Sequence, residues 1–411
     1  MSPTGPGDLI HDWNRLPGEA LRPGRGRVEL DDETLRDGLQ SPSVRTPSIE
    51  DRLRMLHCMA DLGIEAANIG LPGAGPHVAR DTLRLAQEIA SAKLPIFPNC
   101  AARTLESDVL PVVEIAQQAG IAIEVACFLG SSPVRQYAEG WTIDRLLRLT
   151  EEAVTLAAGH GMPVMYVTED TTRARPEDLR RLYTTAVEAG ARRVCVADTV
   201  GHATPAGAAA VVRFVGDVVG ACGGGIGIDW HGHRDRDFAV INTLAALDAG
   251  ATRLHGTAIG IGERVGNTPM DMLLVNLVLM GYIERDLSAL LSYCETVSAA
   301  TGVPIPANYP VVGRDAFRTA TGVHAAAVIK AFRKHDHDLV DAVYSGVPAG
   351  LVGREQEVEI GPLSGRSNVL FWLEKRGLKA SDEAVDRVFA AAKGSDCILS
   401  DAVIRSLLTS E

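Results

Sequence analysis

Aromatic side chains are scarce, only 5% of 411 residues. Ala and Gly are abundant, and that balance suits helices packed closely on a sheet better than a sandwich core. Positive charge is also short: 40 Lys and Arg against 52 Asp and Glu leave a net charge of −12. Such a surface argues against nonspecific binding of nucleic acid or anionic membrane, so a small molecule is the expected partner. The seven cysteines, at 58, 100, 127, 195, 222, 294 and 397, include no CxxC pair. Reduced thiols in a cytoplasmic protein fit that scatter better than a disulfide framework or a thiolate zinc site. Residues 1–26 carry Pro3, Gly5, Pro6, Pro17, Pro23 and Gly24 but no apolar h-region, and read as a flexible arm rather than a signal peptide. The most apolar later run, Met270 to Met280, is too short to span a bilayer and is broken by Asp271.

What is present is an α/β alternation. Candidate strands are Val28 to Leu30, Ile64 to Ile69, Leu94 to Pro98, Ile121 to Phe128, Pro163 to Val167, Arg193 to Ala197, Ile226 to Trp230 and Arg253 to Gly256. Amphipathic segments separate them, among them Ser48 to Leu62, Trp141 to His160, Pro176 to Ala189 and Asp235 to Leu247. Thr204-Pro205 supplies a capping hydroxyl before a proline at the first helical position. Ala-Gly pairs at 119–120, 189–190 and 249–250, with Leu62-Gly63, fall where helices must stop. Eight β/α units in about 240 residues match a (β/α)8 TIM barrel. The rival, a doubly wound sheet, lacks a G-x-G-x-x-G turn after its first strand; Gly70-Leu-Pro-Gly73 follows the second and has the wrong spacing.

In such a barrel the active site lies beyond the C-terminal strand ends. Polar residues gather there: Asp31 to Gln40 after the first strand, Asn68, Asn99 and Arg103, Ser131 and Ser132, Thr168-Glu169-Asp170, Asp198-Thr199, His231 and His233, and Gly256 to Asn267. Turns are polar in any protein, so no single residue decides the matter. Eight in step do. Past Asn267 the pattern changes to two helices, Met270 to Glu284 and Leu287 to Thr301, then the Pro-rich Val303 to Pro310. The expected division is an arm over 1–26, a barrel over 27–284, a helical linker over 285–335 and a small α+β C-terminal subdomain over 336–411. Asp315 to Lys334 is expected to be helical and Glu357 to Ile360 a strand. A tail this small is expected to pack on the barrel or on another subunit.

His231 and His233 follow an apolar run and, two residues apart, aim to one side of an extended chain. With Asp37 after the first strand, and Asn267 as a fourth oxygen donor, they suit a divalent cation such as Mg²⁺, Mn²⁺ or Zn²⁺. Such a centre acts as a Lewis acid on an oxygen-rich substrate.

Thr34-Leu-Arg-Asp-Gly-Leu-Gln40, His231-Gly-His233 and Gly260-Ile-Gly-Glu-Arg-Val-Gly-Asn267 together resemble the isopropylmalate and homocitrate synthase family, whose wider barrel group includes hydroxymethylglutaryl-CoA lyase. Thr168 to Arg173, Asp198 to Gly201, Gly322-Val-His324 and Gly361 to Arg366 extend the resemblance to most of the chain. It implies condensation of acetyl-CoA, or another acyl-CoA, with a 2-oxo acid, followed by thioester hydrolysis. Asp37, His231, His233 and Asn267 would hold the metal, and Arg36 would stabilise charge growing on oxygen. Glu169 would remove a proton from the acetyl methyl group, helped by His324 and Tyr344. Thr199, Gln40, Asn68 and Arg103 would face the substrate. A homodimer with exchanged C-terminal subdomains is implied as well. The chain ends at Glu411 without the additional domain that senses leucine in many relatives, so no feedback by that route is expected.

Three departures touch the pocket surroundings. Arg234 stands where the family usually has Asn, Asn68 where many synthases have Glu, and Leu39 where Glu is frequent. Arg234 in particular is expected to mark a different acceptor. Two alternatives stay open: a carbon-carbon lyase, although the Gly256 to Asn267 loop holds no cysteine of the lyase kind, and a noncatalytic metal-binding barrel.

Overall fold

A computed structural model describes residues 9–14 and 28–409. The expected arm over 1–26 lies outside them except for 9–14. Among the described residues eight parallel strands close into a barrel: β1 (Glu29–Asp32), β2 (Ala66–Asn68), β3 (Phe97–Arg103), β4 (Glu124–Gly130), β5 (Val164–Glu169), β6 (Arg193–Asp198), β7 (Gly227–Gly232) and β8 (Arg253–Gly256). Asp31 pairs with Ala66 on one side and with His255 on the other, which closes the ring. The helices between strands start and stop on local signals. Ser48, Ser132, Thr142 and Thr204 each accept a backbone N–H in the first turn, and helices end at Ala119, Ala189 and Ala249 before the glycines. No helix among the described residues is long and apolar enough to cross a membrane.

Several boundaries differ from expectation, and two of the shifts have a local cause. β3 begins at Phe97 and runs to Arg103, so Asn99 lies within the strand; the small residues Cys100, Ala101 and Ala102 extend it because they are buried in the ring. In the tail the helix spans Gly322–Phe332 rather than starting at Asp315, since Arg318–Thr319 pairs in parallel with Glu357–Val358.

Contacts divide the chain into two units, with Ser292–Pro304 belonging to the barrel unit and Asp286–Leu291 to the other. The reason for the return is buried. Within the helix Leu290–Thr301, the Tyr293 hydroxyl donates to Asp32 Oδ2 and lies 3.2 Å from Thr34 Oγ1. The second unit has cores of its own, one around Trp372, Val388 and Ile404 and another around Val328, Ile329 and Phe371. In the Gly361 to Arg366 motif, the Ser364 hydroxyl donates to Ala320 O at 2.7 Å, tying that turn to the segment before His324.

Burial pushes the Asp32 carboxyl up to about 6, against its hydrogen bonds from Thr34 and Tyr293. A carboxyl raised in the folded state stabilises the fold fully below its unfolded value, near 4, and loses that contribution as pH rises through about 6. Asp32→Asn lacks the titration. Between pH 4.5 and 7 the variant is expected to gain on the parent by about 2 kcal/mol, read by urea unfolding at both pH values; a gap that does not move with pH would refute the account.

Candidate active site

At the C-terminal ends of the strands a cavity opens, lined by Glu33, Arg36, Asp37, Glu169, His231 and His233 among others. β7 places His231 in its last turn of pleat and His233 just beyond, on the same side. Their Nε2 atoms are 3.3 Å apart, and Asp37 Oδ2 lies 3.2 Å from the first and 3.8 Å from the second. Donors bound to one cation at about 2.0–2.2 Å stand about 3–4.4 Å from each other, depending on the angle at the ion, so the three fit a common ion. Asp37 Oδ1 and Asn267 Oδ1 are both buried and without a hydrogen-bond partner.

Asn267 is brought there by the glycine-rich loop. A β-bridge joins it to His233, and its Nδ2 donates to Ile261 O at 3.2 Å. Gly262 has φ of +151°, and a side chain there would collide with the Asn267 amide; at Gly266, with φ of +100°, it would collide with Gly260 O. Arg264 clamps the loop from outside, Nε to Asp235 Oδ1 at 2.8 Å and Nη2 to Thr199 O at 2.6 Å. That leaves Glu263 on the cavity wall.

Electrostatics agrees with a cation at this point. Burial works against ionisation of Asp37, yet Arg36 and the two imidazoles hold its carboxyl well below the usual range. Burial and the neighbouring His231 bring His233 down to about 4, leaving it neutral and able to ligate. Arg36 Nη2 meets Glu33 Oε2 at 2.5 Å and its Nη1 meets Asp37 Oδ2 at 3.3 Å.

Glu169 is fixed through its backbone. Its carbonyl accepts from the Ser131 hydroxyl at 2.8 Å and from Ser131 N at 3.0 Å, and the next amide, Asp170 N, donates to Thr199 Oγ1 at 2.8 Å. Burial raises the Glu169 pKa, with Asp170 and Glu263 adding and Arg135 and Arg36 opposing. Gln40, Asn68 and Thr199 line the same cavity.

Other residues are placed elsewhere. Arg103 does not line this cavity: Asp108, in the first turn of the helix Glu106–Ala119, captures it with Nε–Oδ2 at 2.7 Å and Nη2–Oδ1 at 2.8 Å. Arg234, the departure expected to mark a different acceptor, is not on the cavity wall either; its guanidinium lies 3.2 Å from Asp237. His324 and Tyr344 stand together in the second unit, ring centroids 4.2 Å apart, and line a cavity there with Gln356.

Sequence reasoning missed Glu33 and His255. His255 Nε2 is 2.9 Å from Asp229 Oδ2 and its Nδ1 is 3.3 Å from Glu33 Oε1. Burial alone would lower its pKa, but Asp31, Asp229 and Glu33 push it up to about 10. The resulting imidazolium seats Glu33, which in turn holds Arg36 and faces His231 Nδ1 at 3.9 Å. The only signal was period-two spacing of Asp31 with Glu33 across from a strand-borne histidine. Asp31, Asp229 and His255 are close enough to be read as metal donors, yet Arg253 and Arg193 already occupy Asp229.

The HMGL-like family model matches residues 27–300, two thirds of the chain. The chain belongs to the HMGL-like family. A probable 2-isopropylmalate synthase of Methanopyrus kandleri is 31% identical over 373 residues, covering 89% of this chain and 69% of that protein. A homocitrate synthase of the same organism is 32% identical over 366 residues, covering 88% and 86%. Among solved structures, the HMG-CoA lyase of Bacillus subtilis superposes with a TM-score of 0.58 at 20% identity, over 70% of this chain and 98% of that one. At that identity the likeness concerns the fold. The relatives of about 30% identity over most of the chain are named as synthases.

Proposed function

We propose that this HMGL-like protein condenses acetyl-CoA with a 2-oxo acid in a Claisen-type reaction and then hydrolyses the thioester, giving an alkylmalate- or homocitrate-type product. The observation that carries the reading is the half-buried Glu169 carboxyl, with its raised pKa, opening on the cavity that holds the Asp37, His231 and His233 donors. Held by these three and Asn267, a divalent cation would supply a Lewis acid for the keto oxygen and carboxylate of the acceptor. Glu169 takes the proton from the acetyl methyl carbon, and its raised proton affinity suits a general base. Arg36, charged at all working pH values, faces the oxygens on which negative charge grows. Thr199 already accepts from Asp170 N, so its hydroxyl proton is left to point at an acceptor oxygen. Curated relatives named for synthesis support condensation over cleavage.

The test is CoA release followed with a thiol reagent, using acetyl-CoA, Mn²⁺ and a set of 2-oxo acids. Acceptor-dependent release that stops on chelation and returns with metal is expected. No release with any acceptor, alongside cleavage of hydroxymethylglutaryl-CoA, would move the assignment to a lyase.

A further inference from the structure

The cavity has two chemically distinct sides. β1, β7 and β8 bring Glu33, Asp37, His231, His233 and His255, whereas β3 to β6 bring Ala101, Ala126, Phe128, Met165, Val167 and Ala197. The second set forms one continuous surface, because Ala101 pairs with Ala126, Ala126 with Met165, and Phe128 with Val167 across neighbouring strands. Ala126 and Met165 pack with Cys195, and Val167 lies against them. Burial pushes the Cys195 thiol well up, so it adds no charge to that side.

The basic groups of the lining lie across from this surface: His255 is engaged by Asp229 and Glu33. Arg36, the one arginine there, is engaged by Glu33 and Asp37 on the opposite side, and Arg103 is turned onto Asp108. Glu33, Asp37, Glu169 and Glu263 already line the cavity as acids. A second carboxylate on an acceptor would therefore lose its water against alkyl groups without gaining a cationic partner. An apolar group loses nothing and buries surface.

We infer that the acceptor is a 2-oxo acid with an uncharged, apolar side chain, which lies on the β3 to β6 surface while its keto and carboxylate oxygens face the Asp37 side. This rests on the condensation proposed above. Alanine at 101, 126 and 197 leaves depth for a branched or aromatic group rather than only a methyl. Ala126, at the middle of the surface, sets that depth.

The experiment compares 2-oxobutanoate, 2-oxo-3-methylbutanoate and phenylpyruvate with oxaloacetate and 2-oxoglutarate, using the full chain, acetyl-CoA and Mn²⁺. The best uncharged acceptor is expected to exceed either diacid in kcat/KM by about 100-fold. A diacid that matches or exceeds it overturns the inference. Calorimetric binding of the same acids to the Mn²⁺-loaded protein gives the same ranking without turnover. Preference for uncharged acids in binding with no CoA release would strike the proposed reaction alone; preference for diacids in binding would strike the inference whatever the reaction. Ala126→Val is expected to lower kcat/KM for phenylpyruvate at least about 10-fold more than for 2-oxobutanoate. An unchanged ratio would place the side chain elsewhere and overturn the inference as well.

Discussion

Glu169→Gln is expected to lower kcat for CoA release by about 10²- to 10⁴-fold, the usual contribution of a positioned general base. The substitution keeps the shape of the side chain. Because Glu169 is located by its own carbonyl on Ser131 and by the Asp170 amide on Thr199, the loop is expected to stay in place. Mn²⁺ binding by calorimetry should then match the parent, and the loss should appear in kcat rather than in KM for the acceptor. The parent's activity is expected to fall as pH drops through a carboxyl pKa above the ordinary value, since only the ionised form accepts a proton. Equal losses in metal affinity and turnover would instead make Glu169 part of the donor cluster.

Arg253→Met is expected to cost about 3–5 kcal/mol of stability, the effect of removing one partner from a buried ion pair. Arg253 is 2% exposed and its guanidinium meets Glu124 Oε2 at 2.5 Å and Asp229 Oδ2 at 2.6 Å. Without it both carboxylates remain inside the barrel; Asp229 keeps the Arg193 guanidinium at 2.8 Å, whereas Glu124 is left with the same guanidinium at 3.9 Å. Urea unfolding followed by circular dichroism reads the loss. Adding Glu124→Gln to the same chain should recover part of it, because the amide leaves no uncompensated charge. A single variant as stable as the parent would show that the network contributes nothing net.

Local chemistry made much of this molecule legible. The alternation of apolar runs and capped helices pointed to the barrel, and the two-residue spacing of His231 and His233 placed both on one side of β7. Asp37 could be read because β1 ends just before it. The missed groups are those joined only by ring closure: Asp31 and His255 are 224 positions apart in sequence and become partners when β8 pairs with β1. Arg103 was misplaced for a different reason. A strand end points a long side chain towards the mouth, but a carboxylate five residues on offered two strong, well-aligned hydrogen bonds and won. Arg234 likewise follows a ligand in sequence, yet its neighbours His233 and Asp235 take the inward and clamping roles.

The return of Ser292–Pro304 to the barrel bears on how the catalytic half can be isolated. A fragment ending at Arg285 satisfies the apparent boundary of the eight β/α units, but it omits Tyr293, whose hydroxyl serves Asp32, and Thr301, whose carbonyl receives Arg45 N at 2.8 Å. The first strand and the loop that carries Asp37 would be left with exposed seats where a helix belongs. The barrel is therefore a discontinuous unit of inheritance: whatever evolutionary or laboratory recombination exchanges it must carry the chain through Pro304, including a short excursion that belongs to its neighbour.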